Sequence, residues 1–108
     1  YGAIAGRGHL QGANGFGLFT ASGGTINFQT RTGATVVQAT KTYTFDGLWH
    51  HVAGVRSGTT TRLYIDGVSV TSVVGVLTGL DSSYQFGIGA RDAGSWSFYF
   101  HGDITTVR

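Results

Sequence analysis

Short strand-like segments and turns follow one another along the chain, and several of the segments alternate apolar and polar residues with a period of two. In Thr25–Arg31 the alternation is cleanest: Ile26 and Phe28 fall on one side, Asn27 and Gln29 on the other, as on a half-buried strand. The same pattern predicts strands over Tyr1–Ala5, Phe16–Thr20 and Val36–Lys41, with Tyr43–Phe45 leading into a turn at Asp46-Gly47. Leu48–Arg56 reads as a strand carrying Trp49, His51, Ala53 and Val55 on one face and His50, Val52, Gly54 and Arg56 on the other. Trp49 is therefore expected in the core. Thr61–Ile65 and Val68–Ser72 flank Asp66-Gly67, a dipeptide that favours a type I′ hairpin turn. Further on, Tyr84–Gly89 aligns Tyr84, Phe86 and Ile88, and Ser95–Phe100 aligns Trp96, Phe98 and Phe100. Asp103–Arg108 reads as the last strand. The connections are glycine-rich or polar: Gly6–Asn14, Ser22-Gly23-Gly24, Ser57–Thr61, Val73–Ser83 and Arg91–Gly94. Short strands at this spacing predict an all-β, antiparallel sandwich or barrel, and strands this rich in glycine fit a curved, closely packed sandwich.

Composition sharpens that picture. The chain has 108 residues, enough for a single domain over residues 1–108. Glycine occurs 19 times, and proline, cysteine and methionine are absent. No cysteine means no disulfide framework, no thiolate nucleophile and no zinc–sulfur site. All five acidic residues are aspartates. The seven basic residues, Arg7, Arg31, Lys41, Arg56, Arg62, Arg91 and Arg108, are scattered, so the net charge of +2 makes no patch for nucleic-acid binding. No apolar run approaches the roughly 20 residues of a membrane helix, so no membrane insertion is expected.

Two segments carry a resemblance. Asp46-Gly-Leu-Trp-His-His-Val-Ala53, followed by Arg62-Leu-Tyr-Ile-Asp-Gly67, resembles the laminin-G-like domains of the concanavalin A-like lectin/glucanase superfamily. Phe86-Gly-Ile-Gly-Ala90 and Phe100-His-Gly-Asp-Ile-Thr-Thr-Val-Arg108 resemble a late strand and the closing strand of those domains. The resemblance implies a jelly-roll sandwich of the concanavalin A-like type. Against such domains the chain looks short at both ends. That suggests a compact variant, a fragment of a longer chain, or a fold completed by another chain as a homo-oligomer or larger assembly. Relatives often hold a structural calcium through an acidic pair in the closing strand; here that pair falls on Thr105 and Thr106, with Asp103 nearby but off register. Asp103 is the one weak metal-ligand candidate, and no cofactor is expected.

The residues argue against catalysis. Glycoside hydrolysis needs two carboxyl groups at a defined separation, yet the chain has no glutamate and no two aspartates in one predicted strand. Asp46, Asp66 and Asp81 sit at turns, where aspartate bonds local backbone. His50 and His51 are adjacent on a predicted strand, so they point to opposite faces and cannot share a ligand; His51 is expected to satisfy a buried backbone group. The best candidate ligand-binding cluster is Arg91, Asp92, Trp96, Tyr99 and His101, with Trp96 either in the core or a stacking platform on the surface. The reading that follows is a non-catalytic, extracellular or surface module that recognises carbohydrate or a protein surface. The alternative is a structural or decoration subunit of an extracellular or viral assembly, and a glycoside hydrolase ranks third.

Overall fold

A computed structural model describes residues 2–8, 14–92 and 95–108. Tyr1, His9, most of the Gly6–Asn14 loop, and Ala93 and Gly94 of the Arg91–Gly94 loop lie outside the described residues. The described chain is all-β and antiparallel. The first sheet has the order β4-β3-β2-β1-β8, built from β1 (Gly2–Arg7), β2 (Gly15–Ala21), β3 (Thr25–Thr32), β4 (Thr35–Thr42) and β8 (Phe86–Ile88). The second has the order β5-β6-β7, from β5 (Val52–Ser57), β6 (Thr60–Ile65) and β7 (Val68–Val74). A short ribbon pairs β9 (Arg91–Asp92) with β10 (Trp96–Ser97). Among the described residues, no helix is long and apolar enough to cross a membrane.

The two larger sheets stack through β4 on β7, β6 on β3 and β4, and β5 on β2. Ile26, Phe28, Ala39, Leu63 and Ile65 form the buried cluster between them, with Phe16, Leu18, Val52, Val70 and Val73 packed around it. Ile26, Phe28, Leu63 and Ile65 are inward positions of the predicted alternation. On β5 the inward face is that of Val52 and Gly54, opposite to the face of Trp49, His51, Ala53 and Val55 expected in the core, and Val55 is exposed. Gly54 of β5 lies against the Phe28 ring, and a Cβ there would collide with ring carbons; the glycine permits this close approach of the two sheets. Thr30 and Thr61, both fully buried, share a 3.0 Å hydrogen bond across the same gap, and Thr30 Oγ1 also donates to Val37 O at 3.1 Å.

The outer face of β3 and β4 is a polar ladder. Gln29 Nε2 donates to Gln38 Oε1 at 2.7 Å, and Thr40 Oγ1 donates to Asn27 Oδ1 at 2.7 Å. Asn27 and Gln29 are buried there although their side chains are polar.

Asp66 and Gly67 have φ of 51° and 80°. Both central residues are thus left-handed, as a type I′ turn requires, and Ile65 faces Val68 across a two-residue loop.

Several expectations are corrected. The strand expected to start at Leu48 begins at Val52 instead. Asp46 Oδ1 accepts the Leu48 N–H at 2.9 Å, and Asp66 Oδ1 accepts the His51 N–H at 2.9 Å. These side-chain bonds occupy the donors that a strand would have used for its ladder. The strand expected at Ser95–Phe100 is reduced to Trp96–Ser97, because the backbone turns at Phe98 with φ 54°. The strand expected at Tyr84–Gly89 shrinks to Phe86–Ile88. Residues 103–108 lie beside the sandwich without joining a ladder.

Candidate functional site

The connection from β4 to β5, residues 43–51, is shaped by two aspartates and one histidine. His50 Nε2 lies 2.7 Å from Asp46 Oδ1, and His50 Nδ1 lies 2.7 Å from Asp66 Oδ2. A neutral imidazole carries a single N–H. Donation to both carboxylates therefore requires the imidazolium. Hydrogen bonds to Asp46 and then Asp66 hold the His50 pKa above its ordinary 6.5, with burial opposing. The same contacts, followed by the backbone donors of Leu48 and His51, hold Asp46 and Asp66 below the ordinary 3.8. The Tyr43 ring packs edge-on against the imidazole at 5.2 Å, and its hydroxyl lies 3.0 and 3.1 Å from the two ring nitrogens. Burial, then the charges of Asp46 and Asp66, push the Tyr43 phenol upward.

This clamp holds its loop with apolar side chains turned outward. Trp49 is 67% exposed, Leu48 72% and Phe45 56%. Trp49 is thus not a core residue, because the chain around it is pinned by Asp46 and Asp66 before β5 begins. His51 is exposed as well; the histidine that turns inward to polar partners is its neighbour His50.

The loop forms the wall between two concavities. One, of about 770 Å³, runs between the sheets, with Phe16 and Leu18 of β2 and Val52 of β5 on its sides and residues 103–108 across it. The other, of about 700 Å³, lies between the β2–β3 turn at Ser22–Gly24, the loop, and residues 100–103. Phe45, Leu48, Trp49 and His50 line both.

The five residues singled out from the sequence separate into three placements. Arg91 is turned inward at 5% exposure, its guanidinium carbon 4.2 Å from the Phe98 ring centroid. That placement withdraws it from the surface on which a ligand contact was expected. Asp92, Trp96 and Tyr99 stay together: Trp96 faces Asp92 across the β9–β10 pair, and the Tyr99 hydroxyl donates to Trp96 O at 3.3 Å. Asp92 Oδ2 accepts the Gln85 N–H at 3.0 Å. Trp96 is 47% exposed, with one ring edge against Gly87. His101 lies elsewhere, on the smaller concavity with Trp49, Asp46 and Asp103.

Sequence reasoning missed the convergence of Asp46, His50 and Asp66. The available signal was two Asp-Gly turns on either side of the His-His pair, which a strand-by-strand reading treats separately. Asp103, Thr105 and Thr106 are all exposed. Among the described residues no group of three or more His or Asp side chains is arranged to hold a metal ion, and in the Asp46–His50–Asp66 group both ring nitrogens face the carboxylates directly. Calcium prefers several oxygen ligands, carboxylates among them, so the residues present do not fit the ion that the resemblance implies.

Two stacked antiparallel sheets with concavities at the rim define a β-sandwich. A family model of laminin G type, described as the concanavalin A-like lectin/glucanases superfamily, matches residues 2–108, and the chain belongs to this family. Its fold is accordingly the jelly-roll sandwich of that superfamily. Laminin-G-like domains are in general non-catalytic modules that bind carbohydrate or protein ligands, typically outside the cell. Neither a curated protein nor a solved structure matches the chain.

Proposed function

We propose that residues 1–108 act as a non-catalytic extracellular binding module for a neutral glycan, seated on the indole of Trp49. The observation that carries this reading is the exposure of Trp49 beside a cleft lined by Thr20, Ser22, Asp46, His101 and Asp103. An aromatic face takes the C–H surface of a sugar, and hydroxyl, imidazole and carboxylate groups take its hydroxyls. The exposed surface of Asp92, Trp96 and Tyr99 is a second place where the same chemistry is available.

Hydrolysis does not suit the place where Asp46 and Asp66 meet on the His50 ring. A glycosidase needs one carboxyl group with a raised pKa to donate a proton. Asp46 and Asp66 are both lowered, because they share the His50 cation.

The test is a glycan array probed with the wild-type chain and with Trp49→Ala and Trp96→Ala. Binding lost with Trp49→Ala and kept with Trp96→Ala supports the Trp49 cleft. Binding lost only with Trp96→Ala transfers the site to the β9–β10 ribbon.

One observation favours a second reading, a structural or decoration subunit of an extracellular or viral assembly. β5 ends its sheet with no ladder partner on its outer side among the described residues, and open strand edges recruit strands from other chains. An empty glycan array together with an obligate oligomer in light scattering would favour that reading.

A further inference from the structure

We propose that His50 is a protonation-dependent fastener: as imidazolium it ties the Asp46 end of the Phe45–His51 loop to the β6–β7 turn, and on losing its proton it releases that end of the wall between the two concavities, while His51 stays paired with Asp66.

The geometry is a bridge between elements distant in sequence. Asp46 belongs to the loop itself, Asp66 to the turn between β6 and β7, and Tyr43 to the chain leaving β4. His50 touches all three and is only 19% exposed at its side chain. Among the described residues, every polar contact of the ring is to Asp46, Asp66 or the Tyr43 hydroxyl. From the other elements, His101 and Asp103 border the smaller concavity with it, and Arg108 borders the larger. The His51 side chain is exposed.

Deprotonation leaves one N–H to serve two carboxylates. The second carboxylate then meets a nitrogen lone pair, and that contact turns repulsive. Asp46 keeps its bond from Leu48 N–H, and Asp66 keeps its bond from His51 N–H. The turns therefore persist, and the side-chain bridge between them opens. The loop that loses this link carries Phe45, Leu48 and Trp49, the apolar wall of both concavities. A change in the charge of one buried-edge imidazole is thereby converted into a change in a binding surface.

The consequence for glycan affinity rests on the function proposed above; the switch does not. It is tested without ligand, by nuclear magnetic resonance titration of the His50 ring and the Trp49 indole N–H from pH 5 to 9 in the full chain. The expected result is one shared midpoint above the ordinary 6.5. Asp66→Asn keeps an oxygen for the His51 N–H but removes a charge, so both midpoints should fall together by about 1 unit or more. In His50→Gln the Trp49 signal should lose this transition. A Trp49 signal that stays flat while His50 titrates overturns the proposal. So does a shared midpoint that Asp66→Asn leaves unmoved, which remains decisive if His50→Gln fails to fold. An empty glycan array bears only on the ligand and leaves these outcomes as they are.

Discussion

Gly54 and Phe28 meet across the sandwich with no room for a methyl group between them. The obstacle is the aromatic ring of a residue in the buried cluster, which other core side chains hold in place. Gly54→Ala is therefore expected to destabilise the fold by about 1–3 kcal/mol, as overpacking does. Urea unfolding followed by circular dichroism measures it, and an unchanged midpoint would mean that the sheets can separate freely at this point.

Leu63 is fully buried at the centre of the same cluster. Leu63→Ala removes buried methyl groups and leaves a cavity, at a cost of about 2–5 kcal/mol. The exposed Leu48, truncated in the same way, should change stability by no more than about 0.5 kcal/mol. The pair of measurements separates core from rim leucine.

Thr30 and Thr61 are buried partners, and Thr61 Oγ1 also accepts from Arg56 Nη1 at 2.9 Å. Thr30→Val leaves one hydroxyl short of a partner and is expected to cost about 1–3 kcal/mol. The double variant Thr30→Val, Thr61→Val should lose less than the sum of the singles, which a double-mutant cycle in urea reads directly.

The stability of the chain should depend on pH on both sides of neutrality. His50 has a folded pKa above 6.5. Its contribution is complete below 6.5 and is lost as pH rises through the raised value. Asp46 and Asp66 have folded values below 3.8, so their contribution is complete above 3.8 and is lost as pH falls through the lowered values. Urea midpoints should thus form a plateau between the two limits, and His50→Gln should flatten the alkaline arm. An alkaline decline of equal size in His50→Gln would place its origin in another group.

Much of the sandwich is legible in residue order because the pleat has a period of two. Ile26, Phe28, Leu63 and Ile65 fall at inward positions by counting alone, and Asp66-Gly67 names its own turn. The rim follows other rules. Leu48–His51 reads as the start of a strand, yet Asp46 and Asp66 capture two backbone donors and delay β5 to Val52. Trp49 consequently leaves the core for the surface. Arg91 reads as a surface charge, but its guanidinium packs on Phe98. Long-range side-chain contacts decide both outcomes, and no local pattern encodes them. The partnership of His50 with Asp66 spans 16 residues and exists only once the β6–β7 turn is folded beside the loop.

Phe45, Leu48, Trp49 and His50 belong to two concavities at once. Shared walls obey reciprocity: an occupant that fixes this loop from one side alters the affinity of the other side, and the second occupant must alter the first by the same factor. Thr20, Phe100 and Asp103 complete the shared lining, so a displacement of this loop reshapes both spaces at once.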